Sequence, residues 1–278
     1  MATAREPKAV LTTGANSGIG LATVLELARR GYHSIGSVRS EEKADLVHKA
    51  AAEAGVAVET VLLDVADAEQ CEQALAGRRL YGLVNNAGYA VAGAIEDVGD
   101  DEARGILETM VVAPMRLARL ALPAMREQGE GRIVNVSSIA GRATAPFAGW
   151  YTAAKHALEA ATDALRVEVA GAGVKVTLVE PGGFRTAIWD DMEGDVARHE
   201  EAGSRYTPAY RRALQAMRMG QAIMGEPQTV AHVIAGAVDN RSPRARYLVG
   251  LDAQVTVLAS RLTPTLVKDR VTRLVLGL

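Results

Sequence analysis

Tyr151 and Lys155 stand four residues apart in Trp150-Tyr151-Thr152-Ala153-Ala154-Lys155, so a helix sets both side chains on one face. An ordinary phenol titrates near pH ~10 and is a poor base at neutrality. A fixed positive charge a few ångströms away favours the phenolate and lowers that value. Ser138 lies thirteen residues before Tyr151, just past a predicted strand over Arg132–Val136. From a strand end its hydroxyl can hydrogen-bond a carbonyl oxygen held beside the phenol. Together the three groups make an acid/base site for interconverting an alcohol and a carbonyl. The same spacing also arises by chance on solvated helix faces, so the rest of the chain must support it.

The elements around it do. Ala9–Thr13 is a short apolar run, and Leu21–Arg30 has helical periodicity. Between them runs Gly14-Ala15-Asn16-Ser17-Gly18-Ile19-Gly20. Glycines let a backbone turn sharply and approach a pyrophosphate, while the helix N-terminus offers free N–H groups and a favourable dipole. A second strand, His33–Val38, ends at Arg39 with no carboxylate at its tip. In dinucleotide folds an acid near that place binds a ribose hydroxyl, whereas an arginine accommodates a 2′-phosphate. Arg39 therefore favours NADP(H) over NAD(H), although Glu41 and Glu42 weaken the local positive field. Further strands are predicted over Val56–Leu63, Leu80–Val84 and Val174–Val179, the second ending in Asn85-Asn86-Ala87-Gly88. A helix capped by Asp67, one long helical stretch over Glu96–Glu127 bent at Pro114 and Pro123, and an alanine-rich helix over Tyr151–Ala170 lie between them. This alternation predicts an α/β domain, a parallel sheet with helices on both faces.

Composition narrows the class. A chain of 278 residues, 49% apolar and 23% charged, can build one large globular domain. Thirty-one cations against 33 anions give a formal charge of −2, which suggests no attraction to nucleic acid. The single cysteine, Cys71, allows no internal disulfide and fits a reducing compartment. The first ten residues contain Arg5, Glu6 and Lys8 and no apolar core of a signal peptide, and no apolar run nears the ~20 residues of a spanning helix. A cytoplasmic location is the expectation, and nothing predicts a metal site.

From about residue 8 to 250, the order and spacing of these motifs resemble the NAD(P)-dependent short-chain dehydrogenase/reductase family. Thr13 to Gly20, Asp64, Asn85 to Gly88, Ser138, Tyr151 with Lys155, and Pro181-Gly182 with Thr186 carry the likeness. The resemblance implies a single-domain, doubly wound Rossmann-type fold of about seven parallel strands. It implies Tyr151 as acid/base, Lys155 lowering its pKa and holding the nicotinamide ribose, and Ser138 orienting the substrate oxygen. Gly14, Asn16, Ser17, Gly18, Ile19 and Gly20 would cradle the pyrophosphate. Asp64 and Val65 would lie near the adenine, Asn86, Ala87 and Gly88 beside the adenosine ribose, and Pro181, Gly182 and Thr186 at the nicotinamide. A homodimer or homotetramer through the long central helix and the Tyr151 helix also follows from the family. One departure is evident: Met110 falls where the family usually has an asparagine that holds a proton-relay water, and a thioether cannot donate.

The stretch 184–225 is expected to be a substrate lid. Its Phe184, Ile188, Trp189, Met192, Tyr206, Tyr210, Met217, Met219, Ile223 and Met224, with Phe147 and Trp150 before Tyr151, predict a roomy lipophilic pocket. By analogy with family members that act on steroids, retinoids or other bulky carbonyls, Phe147, Trp150, Phe184 and Trp189 are the candidate substrate contacts. Residues 252–278 read as a helical extension turning at Pro264, basic and amphipathic, expected to pack on the domain rather than rest on a membrane. Two other functions fit the same motifs: a non-catalytic NADP(H)-binding regulator, and an epimerase or dehydratase that retains its nicotinamide.

Overall fold

Short runs rich in Val, Ile and Leu, buried in the central strands and partly exposed in the two edge strands, form the sheet of the computed structural model, which describes residues 6–221 and 224–278. Strand β1 (Ala9–Thr12) leads through the glycine loop into α1 (Gly18–Arg29), followed by β2 (His33–Val38), α2 (Glu41–Glu53), β3 (Glu59–Leu62) and α3 (Ala68–Leu75). Then come β4 (Gly82–Asn85), α4 (Asp100–Leu107), α5 (Ala113–Gln128), β5 (Gly131–Val136) and α6 (Gly149–Glu168). The chain closes with β6 (Val174–Pro181), α7 (Ile188–Glu201), α8 (Thr207–Gln221), α9 (Pro227–Asp239), β7 (Arg246–Val249), α10 (Leu251–Leu262) and α11 (Thr265–Leu276). Among the described residues the strands pair in parallel in the order β3-β2-β1-β4-β5-β6-β7. This is the expected doubly wound α/β fold. The order reverses between β1 and β4, so a crevice opens at their carboxyl ends, where such sheets bind ligands.

Apolar layers hold the helices to both faces of this sheet. Leu11, Leu83 and Ile133 pack with Leu117, Leu122 and Met125 of α5 on one side. Val10, Val84 and Val134 pack with Leu27 of α1 and Val230, Ile234 and Val238 of α9 on the other. Local chemistry sets the helix ends. The Asp67 carboxylate accepts from the N–H groups of Glu69 and Gln70 at 2.9 and 3.1 Å, the cap expected from the sequence.

The stretch expected as one helix over Glu96–Glu127 is not continuous. It starts at Asp100, and residues Glu108–Val112 form a π-helical turn between α4 and α5. Pro114 explains the break: it has no N–H for the Met110 carbonyl, and its ring would crowd that oxygen, so the backbone widens there. Met110 itself is buried at the turn. Pro123 is carried inside α5. The C-terminal extension also differs in part from its expectation. Leu276 packs beside Tyr210, and the Leu276 carbonyl accepts from Arg212 at 2.8 Å, yet Leu266, Leu274 and Val275 of α11 stay exposed. Of the apolar residues expected in the lid, Ile223 lies outside the described residues.

The glycine loop is tied down from the side. Asn86 Nδ2 donates to the carbonyls of Thr13 and Gly14 at 2.9 and 3.2 Å, while Thr13 Oγ1 accepts from the N–H groups of Asn86 and Ala87 at 3.0 and 2.9 Å. Gly14 has φ +67°, and a Cβ on Gly20 would stand 2.0 Å from the Gly14 oxygen and 2.6 Å from Asn86 Nδ2. Gly20→Ala must therefore push the loop off β4. The expected cost is about 1–3 kcal/mol, from overpacking a closed contact, read as a lower urea midpoint. An unchanged midpoint would show that the loop has room to spare.

Candidate active site

At the carboxyl end of β5, Ser138 leaves the strand in extended backbone and caps a short 3-10 turn, its Oγ accepting from Ala140 N–H at 3.1 Å. The Tyr151 phenol of α6 lines the same cavity as the Ser138 hydroxyl, which acts to hold the phenol down. One turn on, Lys155 is buried, 5% exposed, and its Nζ donates to the Val136 carbonyl at the end of β5 at 2.9 Å. The structure thus brings Ser138, Tyr151 and Lys155 together on a cavity of about 350 Å³ that also touches Ile19, Asn86, Gly88, Pro181, Gly182 and Thr186.

The electrostatics differ from the sequence expectation. An ammonium beside Tyr151 was expected to pull the phenol down, but burial pushes it up, and only the Ser138 hydrogen bond works the other way. The geometry explains this: Lys155 Nζ sits 5.8 Å from the Tyr151 ring centroid and spends a hydrogen bond on Val136. Lys155 is itself drawn down to about 8, by burial first, with the charge of Glu159 opposing. The phenol is therefore protonated at neutrality.

The glycine loop is tightly closed on its neighbours: a Cβ at Gly18 would meet Thr186 Cγ2 at 3.2 Å, and one at Gly20 the loop's own backbone. Asn16 is half-buried and Ser17 exposed in the same loop, and Ser17 precedes α1 with extended backbone and a side chain that makes no cap bond. No acidic residue in the first turn of α1 competes with a phosphate for the helix N–H groups. Arg39 is exposed past the end of β2. Past β3, Asp64 Oδ1 accepts from Ala66 N–H, and the buried Val65 gives its carbonyl to Arg116. The Asn86 amide is committed to holding the glycine loop, so the chain itself uses the group expected to face a ribose. Ala87 lies against Gly14, and Met110 lines the cavity, its Cε standing 2.6 Å from where a Gly88 Cβ would lie.

A larger chamber of about 790 Å³ adjoins the cavity at Trp189. Phe184, Trp189 and Met192 line both spaces, and Trp189 Nε1 donates to the Phe184 carbonyl at 2.7 Å. Phe147 lines the chamber at φ +66° and packs edge-on against Tyr210 with centroids 4.6 Å apart. Met217 and Met224 line the chamber as well, and Met219 is exposed. Trp150 is the candidate contact placed elsewhere. It packs with Val98, Ile106 and Ala154 between α4 and α6 and lines neither space, because its neighbour Tyr151 takes the cavity-facing position of the helix. Sequence reasoning missed Asp252, which accepts from Gly183 N–H at 2.6 Å and borders the chamber. No local signal marks it, since its partner lies 69 residues away.

Comparison with known proteins agrees with this geometry. Residues 8–197 match the family model described as short chain dehydrogenase. The uncharacterized oxidoreductase YusZ of Bacillus subtilis is 33% identical over 92% of this chain and 94% of its own. Retinol dehydrogenase 7 of Mus musculus is 30% identical over 95% of this chain and 87% of its own. A crystal structure of a variant actinorhodin polyketide ketoreductase with NADPH superimposes with a TM-score of 0.76 at 28% identity, over 92% of this chain and 99% of that one. With its parallel sheet, glycine loop and matched sequence, this chain belongs to the short-chain dehydrogenase/reductase family and is an NAD(P)-dependent oxidoreductase acting on CH–OH groups.

Proposed function

We propose that this protein is an NADP(H)-dependent oxidoreductase that interconverts a bulky lipophilic ketone or aldehyde with its alcohol, using Tyr151 as acid/base. The observation that carries the reading is the adjacency of two spaces: Ser138 and Tyr151 line a cavity that shares walls with a chamber lined by Phe147, Phe184, Trp189, Met192, Leu214 and Met217. A substrate that buries apolar carbon there, with its oxygen at Tyr151, gains about 25 cal/mol for each Å² removed from water. The relative named as a retinol dehydrogenase supports the same class. Residues 184–225 serve as the lid, with α7 and α8 carrying much of its apolar wall.

A nicotinamide cofactor held at the glycine loop would supply the hydride for the carbonyl carbon. Ser138 orients the carbonyl oxygen, and Tyr151 gives it a proton from the phenol. Lys155 steadies the charge left on the tyrosine and offers its remaining N–H groups to the cofactor ribose. Oxidation runs the same path in reverse. Gly14, Gly18 and Gly20 would hold the pyrophosphate, Thr186 would meet the nicotinamide side, and Arg39 would take the 2′-phosphate. Exposed Val112 beside α5 and Val167 on α6 support self-association through that face.

Purified protein should consume NADPH with bulky hydrophobic ketones or aldehydes, and Tyr151→Phe should lower kcat at least a hundredfold while binding NADPH normally, the scale set by loss of a general acid. A mutant that keeps its rate would remove Tyr151 from the chemistry. Arg39→Ala should weaken NADPH about tenfold, the loss of a charge-assisted contact to phosphate, and leave NADH affinity within about twofold. Equal loss for both cofactors in a fluorescence titration would show that Arg39 does not read the phosphate.

A further inference from the structure

Behind Lys155, on the side away from the cavity, two glutamates meet in the interior. Glu180 of β6 is fully buried, and Glu159, one helical turn beyond Lys155 on α6, is 6% exposed. The two carboxyl groups lie within hydrogen-bonding reach of each other. Arg246 of β7 sits between them, its Nε 3.1 Å from Glu159 Oε2 and 3.0 Å from Glu180 Oε1. Arg142, after the 3-10 turn, reaches Glu180 Oε1 at 3.2 Å. Asp163, one turn past Glu159, takes Arg246 at 2.5 Å and Arg166 at 2.8 Å. The other two carboxyl oxygens, Glu159 Oε1 and Glu180 Oε2, are buried with no donor among the described residues.

A buried carboxylate oxygen without a donor costs free energy, and two ionised carboxylates side by side add repulsion. One proton answers both problems, since it supplies the missing donor and removes one charge. We propose that Glu159 and Glu180 hold a single proton in common, and that the negative charge they keep maintains Lys155 as an ammonium. Both are positioning residues, because Lys155 Nζ spends its hydrogen bond on Val136 and senses Glu159 through its field.

The consequence for pH follows from the signs. Glu180 is pushed up to about 7, by burial first and the charge of Glu159 next, against Arg142 and Arg246. Lys155 is drawn down to about 8 by burial, and Glu159 holds it up. As pH rises past the first value the pair gives up its proton and becomes doubly negative. Its grip on the Lys155 proton therefore strengthens just below the pH at which that proton would leave. The pair widens the range over which the site keeps its positive charge.

Infrared titration of the whole protein with carboxyl-labelled glutamate reads a protonated carboxyl directly. One such band should survive above the ordinary glutamate range of ~4.3 and fade near 7; in Glu180→Gln it should be gone, and in Glu159→Gln, where burial remains but the neighbouring charge does not, it should fade at lower pH. A wild-type protein with every carboxyl ionised above the ordinary range overturns the shared proton. The kinetic part of the inference rests on the proposed role of Lys155, whereas the infrared band needs no turnover, so the two readings fail separately. In carbonyl reduction the alkaline limb of kcat should fall by about one pH unit in Glu159→Gln, a tenfold change in proton affinity, and return in Glu159→Asp. A limb that stays in place in Glu159→Gln overturns the tuning of Lys155.

Discussion

Burying the Lys155 ammonium is the constraint around which this site is built. An ammonium taken out of water costs several kcal/mol unless its surroundings replace the lost hydration. Here a strand-end carbonyl, Val136, and the field of Glu159 do so. That requirement fixes how α6 lies on the sheet: the helix must present Lys155 to the end of β5 while its preceding turn carries Tyr151 into the cavity. Ser138 leaves the same strand two residues after Val136, so one backbone segment aligns all three polar groups. Buried Asn135 continues the alignment below, accepting from Asn85 at 2.8 Å and donating to Thr162 of α6 at 2.8 Å. Strands β4 and β5 and helix α6 are thereby locked in register.

The cofactor side depends on a second constraint, close approach of backbone to backbone. Gly20 meets the Gly14 carbonyl, and the Asn86 amide clamps the loop to the end of β4. The clamp costs Asn86 its freedom to serve a ligand, and it leaves the α1 N–H groups open. Substrate recognition is arranged differently, by an apolar chamber with few polar groups. Under the proposed function such a surface would select by size and hydrophobicity and leave orientation to Tyr151 and Ser138.

Much of this was legible in the sequence because its cues are local. The glycine loop lies between an apolar run and a periodic helix, and Tyr151 and Lys155 share a face by spacing alone. Alternating elements implied the parallel sheet, whose register follows from buried Val, Ile and Leu. What was not legible depends on partners far apart in the chain. Glu159, Glu180 and Arg246 come from α6, β6 and β7, and no short window shows that two of them share a buried space. Asp252 finds Gly183 only once α10 folds back over the end of β6. Trp150 was misplaced for a finer reason: neighbours on a helix point about 100° apart, so Tyr151 facing the cavity turns Trp150 toward α4. The break at Glu108–Val112 had a visible cause in Pro114, yet a bend and a π turn are indistinguishable until the Met110 carbonyl is placed.

The central claim is that Tyr151 and its neighbours organise direct hydride transfer to a carbonyl. Mass spectrometry of the alcohol formed from NADPH deuterated at its transferable hydrogen tests that most directly. The account predicts one deuterium on the carbinol carbon for each NADPH consumed. An altered substrate that carries no deuterium, with NADPH unconsumed, would contradict it and point instead to a fold-mate that keeps its nicotinamide for another reaction.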